Sequence, residues 1–294
     1  MLTRDRQSGF TLVEMIMVIV ITGIIGGMVA VFLKAPIDQY MDVARRAELT
    51  DIADTAIRRM ARDVRTAVPN SVRVPSSSAQ YVEFLPTRDG GRYRVAQDCT
   101  GACTGNVLDF GVADGSFDII GTAINFVAGD YIVVGSTQSD GNPPYDTTTA
   151  GVLRSYTGAA GSKTTVTYTN TAFPVWAELP SQRFDVVDGA QQAVTYSCEN
   201  LGTDSRGNGT GQLKRYWKYG FYTAQPVPPI TLQAPVPPNT TSVQSAILAD
   251  KVSACTIDYA IPNQRFGLLA IRLTLTSGGE SVSLYNEIHV NNAP

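Results

Sequence analysis

The hydrophobic pattern starts with one long apolar run near the beginning of the chain. From Phe10 to Leu33 only three polar residues interrupt it, namely Thr11, Glu14 and Thr22. As a helix rising about 1.5 Å per residue, this run would reach roughly 36 Å, whereas the hydrocarbon core of a bilayer is about 30 Å thick. The pattern therefore predicts a membrane-spanning helix over residues 10–33.

Apolar residues continue at helical spacing after this span. They recur near a 3.6-residue period at Ile37, Met41, Ala44, Leu49, Ile52, Ala53, Ala56, Met60, Val64 and Ala67. Pro36 should kink the helix or loosen one turn, because proline has no N–H and clashes with the preceding turn. Pro69 should end the helix, since the residue before a proline avoids the α region. We therefore expect the helix to continue over residues 34–69.

One face of this second helical stretch is rich in arginine, at Arg58, Arg59, Arg62 and Arg65. Such a stripe could bind a partner or DNA, or it could be a solvated face with Asp54–Arg58 and Arg59–Asp63 pairs at i,i+4 spacing. We favour the solvated face, because acidic residues on the same stretch offset much of the charge.

From Ser71 onward the pattern becomes typical of short strands separated by turns. The strand-like runs are residues 81–85, 92–95, 131–134, 164–168, 212–219, 268–276 and 281–290. The last two runs predict a hairpin, and Asp89-Gly90-Gly91 and Ser277-Gly278-Gly279 predict turns. Residues 226–238 are proline-rich and predict an extended loop. Because the strands follow the helix, we expect an α+β protein with one β-rich domain over residues 70–294.

Composition excludes several classes of function. The 294-residue chain has a formal net charge of −3, which argues against a nucleic-acid partner. Its one histidine, His289, argues against a Ser-His-Asp or Cys-His enzyme. Residues 158–164 lack the spacing of a phosphate-binding loop, and residues 140–146 lack that of a calcium loop. We expect no enzyme activity, no cofactor and no metal, and we expect the aromatic cluster of Tyr216, Trp217 and Tyr219 to pack into a core.

The four cysteines, Cys99, Cys103, Cys198 and Cys255, lie in the part of the chain that would be exported. An even number in an oxidising compartment indicates two disulfides, and three pairings are possible. We favour Cys99–Cys103, which closes a small loop, and Cys198–Cys255, which would join two strand-like segments. The CxxxC spacing is unlike that of a zinc site.

The start of the chain carries the most specific signal. A basic leader with Arg4 and Arg6 precedes Gly9-Phe10, and Glu14 lies inside the apolar run. A carboxylate at a helix centre costs about 2.5–3.5 kcal/mol on insertion scales. A secretory signal peptide does not fit, because its apolar region spans about 7–15 residues and ends at a small-x-small site. A plain membrane anchor would explain neither Gly9-Phe10 nor Glu14.

This junction resembles the class III signal of type IV prepilins and pseudopilins. The resemblance implies a pilin-like fold and a leader over residues 1–9. A prepilin peptidase of the inner membrane would cut after Gly9 and methylate Phe10. Glu14 would then pair with the new N-terminal amine of another subunit during assembly, in a low-dielectric setting where an unpaired charge is costly.

Later stretches resemble the MshO family, the minor pilin-like biogenesis proteins of the mannose-sensitive haemagglutinin (MSHA) pilus. They are residues 58–65, 68–74, 108–110, 116–118, 252–255 and 273–290. The chain is also similar to minor pseudopilin J of type II secretion, which has a long helix and a two-sheet body. The resemblance implies an inner-membrane protein with a periplasmic C-terminal domain that later enters a pilus. Its partners would be prepilin peptidase, other major and minor pilins, and the assembly platform.

The resulting expectation is a minor pilin that helps to initiate or cap a type IV pilus. The alternatives are a secretion pseudopilin, a tip adhesin or DNA receptor, and a membrane-anchored periplasmic enzyme. An adhesin would need a sugar-binding site, a DNA receptor would need a basic patch beyond the helix, and an enzyme would need a convergent titratable cluster.

Overall fold

The structure is a computed structural model that describes residues 9–75, 78–137, 143–230, 243–263 and 266–293. The chain divides into two compact units, Met1–Glu48 and Leu49–Pro294. The first eight leader residues, residues 140–142 of the calcium-like loop and residues 231–238 of the proline-rich segment lie outside the described part.

The first element is a single long helix, α1, from Leu12 to Arg65. α1 continues through Pro36 without ending there. It ends at Arg65 rather than at the predicted residue 69, because the next residues find partners outside the helix. The Val68 amide donates to the Leu85 carbonyl at 2.8 Å, and Ala67 forms a bridge with Pro86. Residues 66–69 therefore already belong to the body.

The body is built from strands in two six-stranded sheets and one two-stranded sheet, which confirms the α+β class. In chain order the strands of the described residues are β1 (Tyr81–Phe84), β2 (Thr87–Tyr93), β3 (Ser116–Ile120), β4 (Ile124–Phe126), β5 (Tyr131–Val134), β6 (Leu153–Ser155), β7 (Gly161–Lys163), β8 (Thr165–Thr167), β9 (Arg183–Val187), β10 (Val194–Glu199), β11 (Gly211–Trp217), β12 (Gln244–Asn263), β13 (Phe266–Ser277) and β14 (Glu280–Asn291). The first sheet has the order β1-β10-β11-β12-β13-β14, and the second has the order β6-β5-β9-β2-β3-β8. Neighbouring strands of the described residues pair antiparallel, and β4 pairs with β7 in the two-stranded sheet.

The main core lies between α1 and the first sheet. The predicted helical stripe is buried at Leu49, Ala53, Met60 and Val64, where it joins one apolar cluster with sheet residues such as Leu273. Burying a side chain of the size of Leu or Met stabilises the fold by about 1.5–3 kcal/mol. This stripe therefore fixes the last turns of α1 on the sheet.

The opposite face of the same turns is solvated, as predicted. Arg58, Arg59, Arg62 and Arg65 are exposed, and Arg58 pairs with Asp54 at 2.6 Å. The predicted Arg59–Asp63 pair is wrong.

Asp63 turns toward the sheet instead. Its Oδ2 accepts hydrogen bonds from the Tyr196 hydroxyl at 2.6 Å and from Arg215 Nε at 3.2 Å. These two bonds tie α1 to β10 and β11, and they are better shielded from water than a surface pair would be.

The second sheet encloses an aromatic core that includes Tyr93, Phe117, Tyr168 and Phe184. One of its strands corrects a prediction. Asp89-Gly90-Gly91, predicted as a turn, lies within β2. At Gly91 an added Cβ would lie 2.8 Å from Ile124 Cδ1 and 3.0 Å from Phe184 Cε1, so a larger residue would force these side chains to shift.

The predicted C-terminal hairpin is confirmed. Strands β13 and β14 pair continuously from Phe266–Asn291 to Ser277–Glu280. Its turn, Gly278-Gly279, has φ angles of 58° and 85°, a region that glycine adopts without steric cost. The aromatic prediction also holds, since Tyr216 and Tyr219 are buried and Trp217 packs against the core.

Two disulfides occur in the body, Cys99–Cys103 and Cys198–Cys255. These are the pairings favoured from the sequence. The first closes an exposed loop, whereas Cys198 and Cys255 are buried and join β10 to β12.

A buried ion pair holds the segment before β1 in place. Arg73 Nε donates to Glu83 Oε2 at 2.8 Å, and the Tyr219 hydroxyl donates to Glu83 Oε1 at 2.9 Å. Burial raises the pKa of Glu83, while the charge of Arg73 and the hydrogen bonds to Arg73 and Tyr219 oppose that rise. The Arg73 guanidinium also donates to the carbonyls of Tyr222 and Thr223. One arginine therefore joins β1 to the segment after β11.

We predict unequal contributions from the two disulfides. In the loop-closure model, removing Cys198–Cys255 as a double Ala variant should lower the free energy of unfolding by about 4 kcal/mol, because it closes the longer loop. The matched Cys99→Ala/Cys103→Ala variant should lose only about 2 kcal/mol. Denaturant unfolding of the full chain measures both values, and equal losses would contradict this ranking.

We also predict that breaking the Arg73–Glu83 pair is costly. Arg73→Met should lower the free energy of unfolding by about 3–5 kcal/mol, because it leaves Glu83 buried without its cation. Adding Glu83→Gln should recover part of the loss. The control is Arg58→Met, which breaks an exposed pair and should cost no more than about 0.5 kcal/mol. Similar losses for Arg58→Met and Arg73→Met would be inconsistent with a strong buried pair.

Candidate processing and assembly segment

The segment around Gly9 and Phe10 lies outside the helix. Gly9, Phe10 and Thr11 are non-helical and α1 begins at Leu12. Phe10 is 80% exposed, and a Cβ at Gly9 would meet nothing within 4 Å. The Gly9–Phe10 bond is therefore non-helical and accessible in the structure.

Thr11 is the N-cap that sets this boundary. Its Oγ1 accepts a hydrogen bond from the Glu14 amide at 3.3 Å, and its carbonyl accepts the first helical bond, from the Met15 amide, at 3.2 Å. A capping threonine satisfies one of the amides that a helix start leaves unpaired. The sequence interpretation missed this role, although Thr11-Leu12-Val13-Glu14 matches the S/T-x-x-E capping signature.

The three polar side chains of the apolar run differ in whether they have a hydrogen-bond partner. The Thr11 hydroxyl caps the helix, and the Thr22 hydroxyl donates to the Val18 carbonyl at 2.6 Å. Glu14 is exposed, and its carboxylate has no partner within the described part of the chain. Because a charged group in hydrocarbon needs a partner, Glu14 is the residue of this run that calls for one from another molecule.

The apolar surface around Glu14 is equally uncovered. Side chains from Leu12 to Leu33 are exposed all round the helix. Among the described residues, one helix is long and apolar enough to cross a membrane, and it is α1. A helix that is apolar on every face is typical of a membrane span or of the centre of a bundle.

The other predicted residues lie in the body, away from any chemical cluster. Cys99, Cys103, Cys198 and Cys255 are all in disulfides, and His289 is exposed on β14. In the described ranges, no group of three or more His, Cys, Asp or Glu residues is arranged to hold a metal ion.

Comparison with known proteins agrees with the N-terminal geometry. A family model described as the prokaryotic N-terminal methylation motif matches residues 4–30. Neither a curated protein nor a solved structure matches the chain. The matched residues include Gly9, Phe10, Glu14 and most of the apolar run.

The motif indicates the type IV pilin or pseudopilin class, which is structural rather than enzymatic. It implies processing by prepilin peptidase and assembly with other pilins, and together with the apolar helix it indicates a single-pass membrane anchor.

Proposed function

We propose that the chain is a minor pilin that helps to initiate or cap a type IV pilus of the MSHA type. The observation that carries the proposal is the N-terminal segment. It combines a non-helical Gly9–Phe10 bond, a helix apolar on every face and one carboxylate, Glu14, without a partner in the described residues.

In this proposal the peptidase cuts after Gly9 and methylates Phe10. The new amine of one subunit meets Glu14 of its neighbour as the helices leave the bilayer. The pair replaces two isolated charges in a low-dielectric setting, so it sets the register between subunits.

A minor role is supported by the size of the body. Leu49–Pro294 forms a compact unit with two six-stranded sheets. Repeating so large a body on every subunit would crowd a helical lattice. We therefore place the chain at low copy number, at the end of a filament.

A secretion pseudopilin is the second candidate, because the two-sheet body and the same N-terminal motif fit it too. Deleting the gene in a strain that cannot retract pili separates the two. Loss of surface filaments supports pilus initiation, normal filaments with lost attachment indicate an adhesin, and loss of secretion alone indicates the pseudopilin.

We predict that Gly9→Leu blocks processing. A bulky side chain at the cleaved position should leave the full-length chain, seen as an unshifted band beside wild type and as an intact N-terminus by mass spectrometry. Gly27→Leu is the matched control, because its site is equally open, and it should be cleaved normally. Normal cleavage of Gly9→Leu would rule out this site.

We predict that Glu14→Ala is cleaved but incorporated poorly. Filament incorporation should fall by about tenfold or more, since losing 1.4 kcal/mol of pairing changes a partition tenfold. Glu14→Gln should behave like Glu14→Ala if charge matters. Thr22→Val is the control, because that hydroxyl bonds only to its own helix. Unchanged incorporation of Glu14→Ala, measured in sheared filaments, would end this role for Glu14.

A further inference from the structure

Two arginines face each other across the second sheet. Arg92 on β2 is the direct register partner of Arg183 on β9, and both side chains are exposed. Like charges directly opposite each other on an antiparallel pair are destabilising. The arrangement therefore costs free energy, and a nearby negative group or a bound anion would reduce that cost.

Neighbouring groups of the chain neutralise the positive charges of Arg92 and Arg183 only weakly. Arg92 Nη2 reaches Gln182 Oε1 at 3.4 Å, and Arg183 has no hydrogen bond or ion pair among the described residues. Asp185 lies two residues along β9 from Arg183, on the same face and opposite Gly90, but forms no ion pair with either arginine. Burial raises the pKa of Asp185 to about 6, and the charge of Arg183 opposes the rise.

Other arginines of the body are placed differently. Arg73 pairs with Glu83, Arg88 with Asp130 and Arg215 with Asp63. The Arg92–Arg183 pair is set apart by its register, because two arginines of the described body lie directly opposite each other on paired strands.

A pocket of about 370 Å³ lies at the same place. It is lined by Gly90, Gly91, Arg92, Ser181 and Arg183. Gly90 lies on the same face of β2 as Arg92, and it carries no side chain there. Ser181 Oγ is buried and has no hydrogen-bond partner, which is costly for a hydroxyl group.

We propose that this pocket, the arginine-pair pocket, binds a small oxyanion. Two guanidinium groups would donate to the anion from opposite strands, and the Ser181 hydroxyl would donate from below. Guanidinium groups suit carboxylate, sulfate and phosphate oxygens because their donors form a planar fork. A bound anion would reduce the repulsion between Arg92 and Arg183. It would also accept a hydrogen bond from the Ser181 hydroxyl, which has no partner among the described residues.

The test uses the full chain in detergent micelles with sodium sulfate as the probe and sodium chloride at matched ionic strength as the reference. Sulfate strengthens protein burial in general, so the informative quantity is the difference between variants. Calorimetric titration and the thermal midpoint are both measured. Sodium acetate is the second arm, because it distinguishes a carboxylate site from a tetrahedral oxyanion site.

Wild type should bind one of the two anions saturably. Arg92→Gln should weaken binding at least tenfold, Arg92→Lys should weaken it less, and Ser181→Ala should weaken it several-fold. Asp185→Asn should strengthen it, because a nearby negative charge is removed. Arg206→Gln, an exposed arginine in the β10–β11 loop, is the control and should bind like wild type.

A second readout needs no ligand. At low ionic strength without either anion, Arg92→Gln should raise the thermal midpoint, because it removes the repulsion, and added salt should abolish the gain. Absence of saturable binding to wild type, or equal binding by Arg92→Gln and wild type, overturns the proposal. A lower midpoint for Arg92→Gln also counts against it, since the pair would then be stabilising.

Discussion

The body depends on burial of one helical stripe against the first sheet. Leu49, Ala53, Met60 and Val64 recur at helical spacing and share one apolar cluster with strands that are far apart in the sequence. Once this stripe is seated, Asp63 meets Tyr196 and Arg215, and the chain leaves the helix at Arg65 to pair beside β1. Apolar burial is non-directional, so these hydrogen bonds help to fix the position of α1 on the first sheet.

The two ends of α1 differ in how apolar and polar side chains are distributed around the helix. Around Glu14 every face of the helix is apolar, so its surface has to be covered by lipid or by other helices. Around Met60 one face is apolar and the other carries arginines, so the chain covers that stretch with its own sheet. The same secondary structure therefore serves intermolecular contact at one end and intramolecular packing at the other.

The sequence predicted the features that depend on local pattern. Alternation of Leu269, Ile271 and Leu273 predicts β13, and the glycine pair after it predicts the hairpin turn. Gly90 and Gly91 were wrongly predicted to form a turn, because glycine often marks a turn, but here both lie inside β2, where Gly91 faces Ile124 and Phe184. The opposition of Arg92 and Arg183 could not be predicted, since it depends on a strand register set by residues about 90 positions apart. Asp63 was assigned to the wrong partner for the same reason: local spacing favoured Arg59, and tertiary packing offered Tyr196 and Arg215.

The Cys198–Cys255 disulfide has a consequence for how the protein matures. It joins β10 to β12, which flank β11 in the sheet, and disulfides form and persist where thiols are oxidised. In the proposed orientation, the Gly9–Phe10 bond is cut at the cytoplasmic side of the membrane, while this bond is made on the other side. A mature subunit would therefore have undergone two separate covalent changes on opposite sides of the membrane: removal of its leader and formation of the Cys198–Cys255 disulfide.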